Sequence, residues 1–417
     1  MKGRQTMFSF NTKVLAVAMF CLAAPFTASA QLSMPVEHRV NSPQFNQDGT
    51  VTFRLYAPQA KDVQIRGDFL TKDVKRGDRV FPEPQNHPMK KDAEGVWEFK
   101  SDAIVPEMYS YIFIVDGLNI SDPSNAFNTR ENGIITSRFI VSKEKGDAGW
   151  LYNIHDVPHG SVSKVWYHSP AQGIDRRATV YTPPGYNPAD ASKRYPVMFL
   201  CHGGGQDEEK WQVEGRTCQI LDNLIALGKA NPMIVVMPNG NSGQYAAPNE
   251  GPVDGKRPQQ PRMRQTKDAN PLIFPDLITF IDSAYRTIPE KNGRAMCGLS
   301  MGGYQTFYYT MEHPDTFAWI GLFSPGALPD WGDPTPAVEQ YRKNAEIIDG
   351  LKKVFDAKPS LYWVGIGKYD GHREDIVGLK QLLEEEKYPF FYMESDGAHE
   401  WKAWRIHLAD FASKIFR

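Results

Sequence analysis

Four cysteines in 417 residues are too few to staple a chain of this size. Cys21 falls in the N-terminal segment, and the other three, Cys201, Cys218 and Cys297, cannot all pair within one chain. Cys201 and Cys297 sit in apolar runs, where a free thiol acts as a small buried hydrophobe. No Cys/His spacing fits a zinc site, and no metal is expected. Charge of one sign is missing too. The formal net charge is -2 with 23% charged residues, which argues against an electrostatic nucleic-acid binder. No apolar run reaches the roughly 20 residues that a membrane span needs. Internal repeats and low-complexity tracts are absent. What remains is an ordinary globular balance, 41% apolar and 12% aromatic, over a length that suits two or three domains.

The chain opens with an export signature. Arg4 and Lys13 supply positive charge, residues 14–24 form a short apolar run, and Ala28, Ser29 and Ala30 offer a small-residue cleavage site. Residues 1–30 therefore read as a signal peptide, with the mature chain starting at Gln31 and placed in the periplasm or outside the cell. From 31 to 145 the pattern is all-β. Residues 51–56, 63–66, 96–99, 109–115 and 137–141 alternate apolar and polar side chains, and Asp116-Gly117 supplies a hairpin turn. Residues 146–163 read as a linker. Beyond it, 164–417 reads as one α/β domain with a doubly wound, mostly parallel sheet. Residues 195–201 and 232–238 are continuous apolar runs, as for strands buried on both faces, and 295–297 and 361–366 read as further strands. Stretches 217–230, 272–286, 376–387 and the run after Met301 carry helical spacing. Residues 246–268 read as a loose loop.

The chemistry concentrates in a few places. Gly298-Leu-Ser300-Met-Gly302 follows a short strand and precedes helix-compatible sequence, which puts Ser300 on a sharp strand-to-helix turn as a nucleophile. His202-Gly-Gly-Gly205 follows an earlier buried strand. There a backbone N–H, from Gly204 or else Gly203, would pair with the Met301 N–H as an oxyanion hole. His399, near the C-terminus, follows the order serine, acid, histidine and is the expected base; His202, His313 and His407 read as structural. The acid should lie after the strand between serine and histidine. Asp370 fits, with Glu374 and Asp375 as alternatives at the opening turn of the next helix. Trp211, Tyr245, Trp401 and Trp404 are candidates to stack on a substrate ring.

These stretches, with residues 177–186, 195–205, 235–240, 297–303 and 397–405, resemble the esterase D-like α/β-hydrolases. Within them they resemble the carbohydrate esterase family that holds feruloyl and acetylxylan esterases. The front segment, through 53–58, 95–98, 109–113 and Asp122-Pro123, resembles the immunoglobulin-like carbohydrate-binding-type module (family 48) found before polysaccharide-acting domains. Trp97 and Tyr111 in it read as core residues rather than a sugar platform. The resemblance implies ester hydrolysis through an acyl-enzyme without a cofactor. The implied substrate is an esterified plant cell-wall polysaccharide, with ferulate preferred. An acetylxylan esterase, an enterochelin-type siderophore esterase and a non-catalytic carbohydrate-binding protein are the alternatives. Every catalytic candidate lies beyond the linker, so a chain starting near Gly149 is expected to act on small esters alone.

Overall fold

The computed structural model describes residues 40–76, 79–131, 134–248, 250, 263–326 and 335–417. The export signature lies outside them. Ten strands come first: β1 Gln44–Phe45, β2 Val51–Tyr56, β3 Val63–Arg76, β4 Arg79–Pro88, β5 Lys90–Lys91, β6 Val96–Lys100, β7 Glu107–Val115, β8 Leu118–Ile120, β9 Asn128–Glu131 and β10 Ile134–Val141. They form two antiparallel sheets, β1-β2-β6-β5 and β4-β3-β7-β10-β9 with β8 beside β7. Alternate residues face one shared core: Val51, Phe53 and Leu55 of β2, Val63 and Ile65 of β3, Tyr109, Tyr111 and Phe113 of β7. Trp97 and Tyr111 are core residues here, and the Trp97 indole N–H donates to Ala57 O at 2.9 Å. Asp116 and Gly117, at φ 47° and 88°, make the hairpin turn between β7 and β8.

The alternation in the sequence stops at Arg66, but β3 continues to Arg76 and pairs with β4 as a long hairpin. Residues 71–76 are largely exposed, and β4 carries Pro82, Pro84 and Pro88. A polar, proline-bearing edge strand has no alternating apolar signal to read.

The second part builds one eight-stranded sheet from β11 Ser161–Ser169, β12 Ile174–Thr182, β13 Val197–Cys201, β14 Ile234–Pro238, β15 Arg294–Leu299, β16 Trp319–Phe323, β17 Leu361–Gly367 and β18 Phe391–Ser395. Their order is β11-β12-β14-β13-β15-β16-β17-β18, antiparallel at β11 and β12 and parallel from β14 onward. The helices are α1 Ala148–Tyr152, α2 Lys210–Val213, α3 Thr217–Ala226, α4 Met263–Ala284, α5 Met301–Glu312, α6 Ala337–Lys343, α7 Ala345–Asp356, α8 Arg373–Glu385 and α9 Trp401–Ala412. Both sheet faces are covered. Val197, Phe199 and Cys201 of β13 pack with the layer of α4, α5, α7 and α8, whereas Met198 and Leu200 pack with α3 and α9. That explains the unbroken apolar run of β13. Helix α1 and the start of β11 fall inside the segment read as a linker, and α4 begins at Met263, inside the stretch read as a loop.

The chain direction reverses its winding at β13, which has β14 on one side and β15 on the other. Loops leaving β13 and β15 thus diverge from adjacent strand ends, and this opens a crevice. Two buried ion pairs join the first part to the second. Arg405 of α9 meets Glu107 at 2.9 Å, and Arg138 of β10 meets Glu214 at 2.7 Å, with all four side chains at most 4% exposed. Among the described residues no helix is long and apolar enough to cross a membrane.

Candidate active site

Ser300 sits between β15 and α5 at φ 50°, ψ -113°, a left-handed position that a serine occupies only when its surroundings enforce it. The flanking glycines are what make the turn fit. A Cβ on Gly298 would lie 2.6 Å from the Gly302 carbonyl carbon, and one on Gly302 would lie 2.5 Å from Cys201 O. Strand β13 and helix α5 therefore approach too closely for any side chain. The Ser300 N–H is tied to Phe323 O at 3.0 Å, which fixes the turn against β16.

His399 lies in the loop between β18 and α9. Its Nε2 is 2.9 Å from Ser300 Oγ, and its Nδ1 is 2.9 and 3.1 Å from the two oxygens of Asp370. Asp370 follows β17 and is fully buried, and its Oδ1 also accepts the His372 N–H at 2.9 Å. Burial opposes its ionisation, but the hydrogen bond and charge of His399, with the His372 N–H, hold its carboxyl below the ordinary value. Glu374 and Asp375 lie in the first turn of α8, and Asp375 meets His372 at 3.2 Å instead. The imidazole of His399 is held edgewise between two rings, Trp404 at 5.0 Å and His372 at 5.0 Å. This chain of contacts can move a proton from the Ser300 hydroxyl to an imidazole whose tautomer the carboxylate sets.

The loop after β13 lies across the crevice. Gly203 donates its N–H to Gln206 Oε1 at 3.0 Å, while the Gly204 N–H meets no partner among the described residues. A Cβ on Gly203 would come 3.5 Å from Ser300 Cβ, so the loop abuts the serine. His202 anchors it: Nδ1–H donates to Gly203 O and Nε2 accepts the Gly240 N–H, both at 2.8 Å. Burial lowers the proton affinity of His202, consistent with a neutral ring that donates at one nitrogen and accepts at the other.

Three of the four aromatic candidates are buried. Trp211 is 1% exposed, with its N–H given to Cys201 O at 2.9 Å and its ring edge-on to Trp401 at 5.2 Å. Trp401 and Trp404 are each 5% exposed. These three rings pack α9 and α2 against the sheet and back the His399 loop, leaving no free face to stack on a ligand. Tyr245 lies elsewhere, lining a cavity at the β11–β12 edge. Cys201, Cys218 and Cys297 are free and buried, and burial raises the Cys218 thiol to about 12. Asp370, His372 and His399 offer ligand atoms within 4.8 Å of one another and could hold a metal ion, although Asp370 and His399 already engage each other.

The profile of the Esterase family matches residues 169–415, which takes in Ser300, Asp370 and His399. The chain belongs to this family. The N-terminal part of the esterase matches carbohydrate-binding module 48, the isoamylase N-terminal domain, over residues 40–126. An endo-1,4-beta-xylanase/feruloyl esterase of Xylanibacter ruminicola is 30% identical over 388 residues, covering 90% of this chain and 46% of that protein. Endo-1,4-beta-xylanase Y of Acetivibrio thermocellus is 28% identical over 251 residues, 55% of this chain and 20% of that one. The esterase thus spans less than half the length of these curated relatives. Among solved structures, the enterobactin esterase of Shigella flexneri superposes with a TM-score of 0.55 at 15% identity, over 87% of this chain and 92% of that one. A ferulic acid esterase of Anaeromyces mucronatus, bound to ferulic acid, gives 0.50 at 20% identity over 63% and 93%. The fold is accordingly an α/β-hydrolase domain behind an immunoglobulin-like β module.

Proposed function

We propose that this esterase hydrolyses carboxylic esters on plant cell-wall polysaccharide, releasing ferulic or related hydroxycinnamic acids from xylan through an acyl-enzyme. The observation that carries this is the Ser300–His399–Asp370 chain of hydrogen bonds at the sheet's winding reversal. Ser300 Oγ attacks the ester carbonyl as His399 Nε2 takes its proton, and Asp370 holds the imidazole and stabilises its charged form. The N–H groups of Gly204 and Met301 receive the oxyanion; the unclaimed Gly204 donor supports Gly204 over Gly203. His399 then protonates the departing sugar oxygen as its bond to the acyl carbon breaks, and water, activated by the same ring, frees the acid. The feruloyl preference rests on the relatives' names, since the rings expected to stack on the acyl group are packed in the interior.

The two-part reading, a module over 31–145 and a catalytic domain over 164–417, belongs to the same proposal, as does export through a signal at 1–30. The test is turnover of methyl ferulate, acetylated xylan and a siderophore ester on one preparation, beside Ser300→Ala. Methyl ferulate is expected to give the highest kcat/KM, with Ser300→Ala lower by several orders of magnitude while its circular dichroism stays the same. Preference for acetyl or siderophore esters would replace the substrate reading. Near-normal turnover by folded Ser300→Ala would sink the nucleophile.

A further inference from the structure

Strand β11 forms the outer edge of the catalytic sheet, and its solvent face carries Lys164, Trp166 and His168 in alternation. Trp166 is 46% exposed and is the one tryptophan among the exposed large apolar side chains of the described residues. The ring is not loose. Its cross-strand partner is Arg177, whose guanidinium lies 5.9 Å from the ring centroid. That guanidinium is 4% exposed and held by Glu208 at 2.7 Å, Glu209 at 2.8 Å and Glu250 at 2.9 Å. Glu208 is itself fixed by the Ala247 N–H and the Asn239 amide. In front of the ring is a cavity of about 610 Å³, lined also by Tyr245, Asp175, His168 and Glu250. Asp175 and His168 face each other at 2.9 Å, with most of both side chains in solvent.

We propose that this edge is a second carbohydrate-binding site, one that holds the backbone of the neutral polysaccharide whose ester Ser300 cleaves. The inference rests on the polysaccharide-ester reading above. A braced, exposed indole offers a flat face to the C–H side of a pyranose ring. The Asp175 and Glu250 carboxylates and the His168 imidazole around it can accept from hydroxyls, and the carboxylates' negative charge disfavours an anionic ligand. Position supports the pairing of the two sites. Strand β12 runs antiparallel to β14, with Ala178 opposite Pro238, so residues 174–177 lie at the sheet end that carries Ser300. Three to four strand spacings, roughly 14–19 Å, separate the edge from β15, a span within reach of a short oligosaccharide. Glu208 and Glu209 also follow directly on the loop that holds Gly204, linking the two sites through one segment.

The experiment uses the whole chain, as wild type, Trp166→Ala and Trp166→Phe, with unesterified xylohexaose as the probe in calorimetry. Trp166→Ala is expected to weaken xylohexaose binding at least fivefold, with Trp166→Phe in between. The ratio of kcat/KM on a feruloylated xylo-oligosaccharide to that on methyl ferulate should fall by a similar factor. Unchanged binding and an unchanged ratio would overturn the site, as would an effect confined to self-association in sedimentation. If feruloyl esters are not cleaved but xylohexaose binding still depends on Trp166, the ester reading fails and the edge site stands.

Discussion

Asp370 shows how one side chain can be read two ways until its surroundings are known. Three acidic residues, Asp370, Glu374 and Asp375, lie within six positions of one another, and only the first faces His399. Asp370→Asn is expected to lower kcat by about 10³–10⁴, because an amide holds His399 in the wrong tautomer. Glu374→Gln should leave kcat within about twofold on the same assay. The contribution of Asp370 to stability is complete above the ordinary carboxylate value and is lost as pH falls through its lowered one. His407 works in a higher window. It is fully buried beside the Ser395 hydroxyl at 3.0 Å, and burial pushes its imidazole down to about 3. In the unfolded chain it titrates near the ordinary value of about 6.5. Between those values the unfolded state binds a proton that the folded state refuses, so stability drops by about 1.4 kcal/mol for each unit that the pH is lowered. Urea titrations of His407→Gln from pH 6 to 4 should show a flatter dependence than the wild type. Equal slopes would mean that other groups carry the acid sensitivity.

Elements place these residues because β13 and β15 are neighbours that send their loops in opposite directions. The serine turn and the glycine loop therefore meet without a long connection. Gly298 and Gly302 permit the approach, and His202 fastens the loop to the turn after β14. On the proposed mechanism His202 is thus a positioning residue for the oxyanion donors rather than a second base. His202→Ala should cut kcat by about 10²-fold with KM much less affected, the pattern for a misplaced transition-state donor. A loss carried wholly by KM would point instead to ground-state binding.

At the scale of the whole molecule, the β module is fastened to the catalytic sheet by charge. Glu107 and Arg405 are buried together, and Arg405 also donates to Met108 O and Glu214 O, at 2.9 and 3.0 Å. Burial raises the Glu107 carboxyl against the pull of the arginine, so desolvation offsets part of what the pair's attraction contributes. Removing one partner leaves a buried charge alone, and Glu107→Gln is expected to destabilise the chain by about 3–5 kcal/mol in urea melts. For the same reason a chain starting near Gly149 should be unstable and weakly active even on small esters. It would strand Arg405 and uncover the apolar surface that Met108 covers. This reverses the outcome drawn from the sequence, where the module looked detachable. A truncation that melts like the full chain and keeps its kcat/KM on methyl ferulate would show that the interface is dispensable.

The sequence by itself determined the parts whose signal is local. The apolar run of β13 betrays a strand buried on both faces, Gly298 and Gly302 flank a serine that only a tight turn can present, and the chain order of Ser300, Asp370 and His399 follows from the loops after β15, β17 and β18. Tertiary structure decided whatever depends on partners far along the chain. The Glu107–Arg405 pair spans 298 positions, and neither residue type announces the other. Trp211 and Trp166 are the same residue type, one on the short helix α2 and the other on strand β11, yet one lies in the core at 1% exposure and the other stands in solvent at 46%. An aromatic ring gains from burial and from stacking alike, so its identity fixes neither location. Only the packing around it, an α9 tryptophan for Trp211 and a carboxylate-braced guanidinium for Trp166, settles which of the two it does.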